Sequence, residues 1–152
     1  MKDPVTINFA SADDLPQLVE LLEELFTLES DFRPDRDQQL RGLRLLLENP
    51  HTGRLFVLRI GGKVAGMANA LITISTAEGG RVIMLEDVML RGEYRGFGHG
   101  RLLVEHVLDW AAEQGMLRVT LLADRDNLKA QSFYRRLGFE LSNMIVMRKK
   151  NP

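Results

Sequence analysis

The spacing of apolar residues along the chain changes period several times, and each change marks an element. In VTINFA, from Val5, apolar and polar side chains alternate, which predicts a strand. From Ser11 the period lengthens. Leu15, Leu18, Val19, Leu22, Leu25 and Phe26 trace one face of a helix, with Ser11 and Asp14 at capping-box spacing and Pro16 in the first turn. Leu40, Leu43 and Leu47 predict a second helix from about Asp37 to Glu48, stopped by Pro50. RLFVLRIGGKVAGMANALITIS then reads as two strands around a Gly61-Gly62 turn. RVIMLEDVML follows as a further strand, a central one, because Val82, Ile83, Met84, Leu85 and Val88 leave it little polar surface. The sheet predicted to this point is antiparallel.

Beyond the glycines of YRGFGHGRLL, Leu103, Val107, Trp110 and Ala111 form a helical stripe that Gly115 ends, and LRVTLLA returns to a strand. Strand, helix and strand in that order predict a right-handed crossover and a parallel pair. NLKAQSFYRRLGF predicts a short helix with Asn127 as N-cap, Ala130, Phe133, Tyr134 and Leu137 on one face, and Gly138 just past its end. FELSNMIVMRK would close the chain as one or two strands. The expected fold is α+β: residues 1–152 as a single domain, a mixed and mostly antiparallel sheet with flanking helices and a parallel, splayed strand pair.

Composition narrows the chemistry. The 152 residues carry a net charge of −1, so nothing in the overall balance points to nucleic acid or a membrane surface as partner. No cysteine is present, which removes disulfides, thiolate metal sites and a cysteine nucleophile. The three histidines, His51, His99 and His106, are not spaced as metal ligands, and no metal is expected. Neither a signal-peptide pattern nor a membrane-length apolar run is seen, so the expected compartment is the cytoplasm.

The three alternate glycines, Gly96, Gly98 and Gly100, carry the strongest chemical signal. They permit backbone angles barred to other residues and let a ligand approach the main chain. The loop feeds a helix N-terminus, where amide N–H groups lack intrahelical partners beside the positive end of the dipole. Arg95 and Arg101 flank it, so a phosphate or pyrophosphate is the natural guest. A P-loop fails, because Gly100 is followed by Arg101 and Leu102 rather than Lys and Ser or Thr. A dinucleotide fingerprint fails at Arg101, where its third glycine would stand; Asp124 is placed as a ribose-binding acid would be, but too little chain follows for a doubly wound sheet.

These residues resemble the GNAT superfamily of acyl-CoA-dependent N-acyltransferases. Arg95, Gly98 and Gly100 match its phosphate-binding signature, and Asn127, Ala130, Phe133, Tyr134, Gly138 and Phe139 match a second one, Asn-x-x-Ala-x-x-Phe-Tyr-x-x-x-Gly-Phe. The order of elements is similar from about Val5 to Arg148. Two positions depart from the pattern: Arg91-Gly92 stands where a proline is common, and His99 where an aliphatic residue is usual.

The resemblance implies an N-acetyltransferase that moves the acetyl group of acetyl-CoA to a primary amine by direct attack, without a covalent enzyme intermediate. It implies that the pantetheine arm of acetyl-CoA pairs with the main chain of Val88, Met89 and Leu90, and that the phosphates lie on the loop Arg95, Gly96, Phe97, Gly98, His99, Gly100 and Arg101. Asn127 and Ala130 would border the CoA arm, and Tyr134 would stand near the sulfur. An ammonium near pKa 10.4 must lose a proton before attack, which points to a carboxylate. Glu86 and Asp87 are the candidates, with Glu86 favoured because strict alternation puts it on the side of Val88 and Leu90. The departing thiolate gains from a donor, which Tyr134 offers. Glu29 and Asp31, between the first two helices, would border the acceptor pocket and could select a cationic substrate, although such a pair is more often a solvated charge cluster. The acceptor is expected to be a small-molecule or peptide amine, with room for a homodimer. A non-catalytic acyl-CoA-binding or sensing module is the alternative from another class.

Overall fold

The computed structural model describes residues 3–152. Strand β1 (Val5–Phe9) leads through a single tight turn at Ala12–Asp14 into helix α1 (Leu15–Leu28), followed by α2 (Arg36–Glu48). Strands β2 (Gly53–Ile60), β3 (Lys63–Ser75) and β4 (Gly80–Leu90) come next, then α3 (His99–Glu113), β5 (Val119–Leu121) and α4 (Leu128–Arg136). The sheet has the order β1-β2-β3-β4-β5, antiparallel through β4 and parallel between β4 and β5. The predicted mixed sheet and parallel pair are thus present, with β4 held on both edges.

Local chemistry sets the boundaries. The Asp14 carboxylate accepts the Ser11 backbone N–H at 2.9 Å and also takes Arg59 Nη2 at 2.7 Å, so the buried acid that starts α1 is tied to β2 as well. Asp35 caps α2, its Oδ1 accepting the Gln38 N–H at 3.1 Å. Gly61 and Gly62 take φ of +57° and +81°, angles that close the two-residue β2–β3 turn and are costly for any other residue.

Both faces of the sheet are covered. Leu18, Leu21 and Leu22 of α1 and Leu43 of α2 pack with Leu55, Val57 and Met67 on one face. Leu103, Val104 and Val107 of α3 pack with Phe56, Leu58, Ala68 and Leu85 on the other. Successive residues of β2 therefore serve opposite layers, and the strand reads as a continuous apolar run. Among the described residues, no helix is long and apolar enough to cross a membrane.

One expectation fails. FELSNMIVMRK does not form strands: residues 140–152 belong to no helix or strand, and β5 is confined to three residues. A run of strand-forming side chains becomes a strand only where a ladder partner receives its N–H and C=O groups. Here the edge that would receive it is short, and Leu141, Met144, Ile145, Val146 and Met147 stand exposed instead.

Candidate active site

The site begins with an irregularity in β4. Met89 lies opposite Met67 and Glu86 opposite Asn69, so Asp87 and Val88 together face the single residue Ala68. This is a β-bulge, and Asp87 takes φ +53°, the left-handed conformation that aspartate tolerates better than most residues. Pairing with β5 ends at Leu85 opposite Leu121, just before the bulge. From Glu86 onward the edge of β4 that faced β5 has no strand partner, and the two strands part.

The bulge cancels the alternation on which the preference for Glu86 rested. Glu86 is exposed, whereas Asp87 is half-buried and accepts a hydrogen bond from Asn69 Nδ2 at 2.5 Å. Burial, reinforced by the charges of Glu86 and Glu29, pushes the Asp87 carboxyl up to about 7. Asn69 is 3 % exposed, and its Oδ1 has no hydrogen-bond partner among the described residues.

Glu29, the residue that ends α1, reaches the same place from the far side of the cleft. Burial holds its carboxyl above the usual range, and the charges of Asp124, Glu86 and Asp31 add to the effect. Tyr134 on α4 is half-buried against Phe133 and Phe139, with ring centroids 5.0 and 5.7 Å away. Burial, with Glu29 nearby, pushes its hydroxyl up to about 12, so it stays protonated at any physiological pH. Four chain segments therefore bring Glu29, Glu86, Asp87, Asp124 and Tyr134 to one opening between β4 and β5.

The glycine loop borders the same end of β4. Gly96 and Gly98 take φ of +85° and +86°, and a Cβ built on either would meet nothing within 4 Å. The main chain is thus open on the side that a ligand would approach. Gly98 is the N-cap of α3, and the amides of the first helical turn follow it. Beside the loop is a cavity of about 380 Å³ lined by Leu90, Gly96, Gly98, His99, Phe133 and Arg136, among others. His99 Nδ1 is buried there without a hydrogen-bond partner among the described residues.

The two arginines of the loop are already engaged. Arg95 donates from Nε and Nη2 to the Leu90 carbonyl at 3.1 and 3.0 Å, and its Nη2 also lies 3.0 Å from Glu24 Oε1. It fastens the loop to the end of β4. Arg101 pairs with Glu105 at 2.6 Å along the exposed face of α3. Arg136 has no ion-pair partner among the described residues and lines the cavity. Sequence reasoning missed Arg136; its spacing of three from Phe133 on α4, which places both on one helix face, was the available signal.

A single stretch of chain thus joins an open glycine turn at a helix N-terminus to a group of carboxylates and a protonated tyrosine. The family model for the acetyltransferase (GNAT) family matches residues 15–139. The chain belongs to this family. An uncharacterized N-acetyltransferase of Methanocaldococcus jannaschii is 27 % identical over 142 residues, covering 92 % of this chain and 62 % of the relative. This GNAT chain therefore spans less than two thirds of that relative's length. Among solved structures, a possible acetyltransferase from Clostridium difficile 630 superposes with TM-score 0.88 at 19 % identity, covering 97 % of this chain and 98 % of the other. A predicted acetyltransferase with acetyl-CoA from Clostridium acetobutylicum superposes with TM-score 0.78 at 16 % identity, with 96 % of each chain covered. At these identities the structural likeness concerns the fold.

Within that GNAT fold the remaining sequence-predicted residues fall as follows. Val88, Met89 and Leu90 form the end of β4 beside the splay, with the Leu90 carbonyl taken by Arg95. Asn127 caps α4, its Oδ1 accepting the Ala130 N–H at 3.0 Å. Phe97 is 73 % exposed at the crest of the loop. His106 sits apart, its ring against Phe56, and no group of three or more metal-ligating side chains occurs among the described residues.

Proposed function

We propose that this chain is an acetyl-CoA-dependent N-acetyltransferase that transfers the acetyl group directly to an amine. The observation that carries the reading is the continuity of the open Gly96–Gly98 turn with the unpaired end of β4, where Asp87, and Tyr134 on α4, both feel the charge of Glu29. The residues suit the group they would hold. The amides at the start of α3 and Arg136 offer contacts to phosphate oxygens, and the free edge of β4 offers N–H and C=O groups to an extended amide arm. Acetyl-CoA supplies an activated acyl group and a thiol leaving group.

The chain's own part is proton management. Asp87, raised to about 7, is a stronger base than an ordinary carboxylate and still ionised in good part at neutral pH, so it takes the ammonium proton directly or through water. The charge of Glu86 beside it keeps that basicity high. Tyr134, at about 12, is too weak an acid to give its proton outright to a thiolate near 8.5; it stabilises the departing sulfur as a hydrogen-bond donor. The carboxylates at the mouth favour a positively charged acceptor, a small-molecule or peptide amine.

Two carboxylate variants test this division of labour. Asp87→Asn should lower kcat/KM by on the order of 10²-fold and remove the acidic limb of the pH profile near 7. Glu86→Gln removes a neighbouring negative charge, which lets the Asp87 pKa fall, so the same limb should move to lower pH with a smaller loss of rate. A silent Asp87→Asn, with the loss confined to Glu86→Gln, would return the role of base to Glu86.

Asp87 also links stability to pH. Its folded pKa is raised, so the stability associated with its neutral form is fully present below the unfolded value of 3.8 and is lost as pH rises through about 7. Asp87→Asn should therefore flatten the fall in melting temperature between pH 5 and pH 8. The new amide can in addition donate to the unpartnered Asn69 Oδ1. Thermal melts of both proteins across that range make the comparison, and parallel curves would contradict it.

A further inference from the structure

Two polar side chains are buried among the described residues, Asp14 and Asn69, and their situations differ. Asp14 is satisfied by Ser11 and Arg59. Asn69 is half satisfied. It stands in β3 between Ala68 and Ala70, which pack in the layer under α3, and two residues after Met67, which packs under α1 and α2. Alternation sends its side chain to the α1 side, into a layer where a leucine would have completed the apolar packing. The amide instead leaves Oδ1 with no donor, an arrangement that costs free energy in a protein interior.

The other half of the amide is occupied. Nδ2 donates to Asp87 Oδ2 at 2.5 Å, and the bulge that turns Asp87 to φ +53° places the carboxyl against it. An ionised carboxylate only accepts hydrogen bonds, so in that state Asp87 has nothing to give Asn69 Oδ1. A protonated carboxyl owns one O–H. Acid and amide then each hold one donor and one acceptor for the other, and the free Oδ1 acquires a partner.

We propose that Asn69 is the positioning residue of Asp87, holding the carboxylate through Nδ2 while it waits for a proton and receiving its O–H on Oδ1 once the proton has arrived. The proposal rests on the reading of Asp87 as the base. In that step an N–H bond of the acceptor ammonium breaks and its electron pair stays on nitrogen. The proton forms an O–H bond on the Asp87 oxygen that Nδ2 does not hold, and passes to water as the products leave. One fixed partner thus serves both protonation states. The charges that bear on Asp87 are Glu86 of β4 and Glu29 at the end of α1, both negative, while Tyr134 on α4 stays neutral and β3 presents an amide rather than a cation. A cation there would hold Asp87 ionised at the expense of its basicity; an amide steadies it and leaves the basicity in place.

Asn69→Leu keeps the branched shape and removes both polar atoms. The bond from Nδ2 to the ionised carboxyl is charge-assisted and about twice as strong as a neutral one, so losing both bonds should raise the Asp87 pKa above its value of about 7. The ionised form is the active one, so the acidic limb of kcat/KM should move to higher pH. A rise of about one unit cuts the ionised share at pH 7 from about a half to about a tenth, roughly a 5-fold loss of rate, with the KM for acetyl-CoA unchanged. A merely structural asparagine would lower the melting temperature and leave the limb where it was. NMR titration reads the pair without turnover: in the unaltered chain the Asn69 side-chain N–H signals and the Asp87 carboxyl carbon should shift together, and in Asn69→Leu the carboxyl midpoint should rise. With Asp87→Asn already present, Asn69→Leu should cost no further rate. If Asn69→Leu fails to fold, the titration of the unaltered chain decides. Asn69 signals that ignore the Asp87 titration, a carboxyl midpoint that Asn69→Leu leaves in place, or an equal rate loss with Asp87→Asn present would each overturn the proposal. Coupled titration with a rate indifferent to Asp87→Asn would instead remove Asp87 as the base, and the role of Asn69 in the reaction with it.

Discussion

Gly98→Val is expected to abolish the rise in melting temperature that coenzyme A produces, while the unliganded protein still folds. Gly98 holds φ +86° at the N-cap of α3, and valine resists that angle because its branched Cβ crowds the backbone. The strain costs roughly 1–3 kcal/mol. Nothing in the chain lies within 4 Å of the new Cβ, so no core contact is lost and the fold persists at a lower melting temperature. The open space above Gly98 is where the ligand would come closest, and a branched side chain fills it. Gly115→Val supplies the control. It imposes the same strain at φ +74°, at the other end of α3, and should lower the melting temperature while preserving the coenzyme A shift. Calorimetric titration of the three proteins measures the difference, and undiminished binding by Gly98→Val would remove the loop from the site.

Tyr134→Phe is expected to lower kcat by on the order of 10²- to 10³-fold with acetyl-CoA affinity nearly unchanged, the loss typical of removing one donor to a developing anion. The ring contacts with Phe133 and Phe139 survive the substitution, so the stability cost stays below about 1 kcal/mol, the worth of one hydrogen bond. A tyrosine that only filled space would leave kcat unchanged, because phenylalanine keeps the same ring contacts. Steady-state kinetics beside calorimetric affinity separates the two, and equal kcat values would take Tyr134 out of the mechanism.

The parts of this site that were legible in the sequence are those built by neighbouring residues. Arg95 to Gly100 is one contiguous loop, and Asn127 to Phe139 is one helix with its flanks, so spacing alone placed their backbone. The bulge at Asp87 was not legible, because it exists only in the register of β4 against β3. A reading by alternation therefore chose the wrong premise for ranking Glu86 over Asp87. Glu29 was weighed as a solvated charge; it becomes half-buried because the end of α1 is brought against β4 and α4 from far along the chain. Arg95 and Arg101 were read as phosphate ligands from their charge beside the loop and, for Arg95, from the family signature; their partners Glu24 and Glu105 come from helix packing and helix spacing. Gly66, unremarked in the sequence, lies so close to the end of β4 that a Cβ there would meet the Met89 carbonyl oxygen at 2.9 Å. The apolar side chains of the last residues predicted strands, but a strand needs an edge that receives its N–H and C=O groups, and residues 140–152 belong to none.

The central claim is that the glycine loop, the splayed end of β4 and Tyr134 form one acetyl-transfer site rather than a binding module. Release of free thiol from acetyl-CoA, followed across a panel of small-molecule and peptide amines with mass detection of the acetylated product, tests it most directly. Thiol release is expected to require an amine, to match the amount of N-acetylated product, to be fastest with acceptors carrying further positive charge, and to collapse in Tyr134→Phe. Tight acetyl-CoA binding with no amine-dependent thiol release from any acceptor would contradict it.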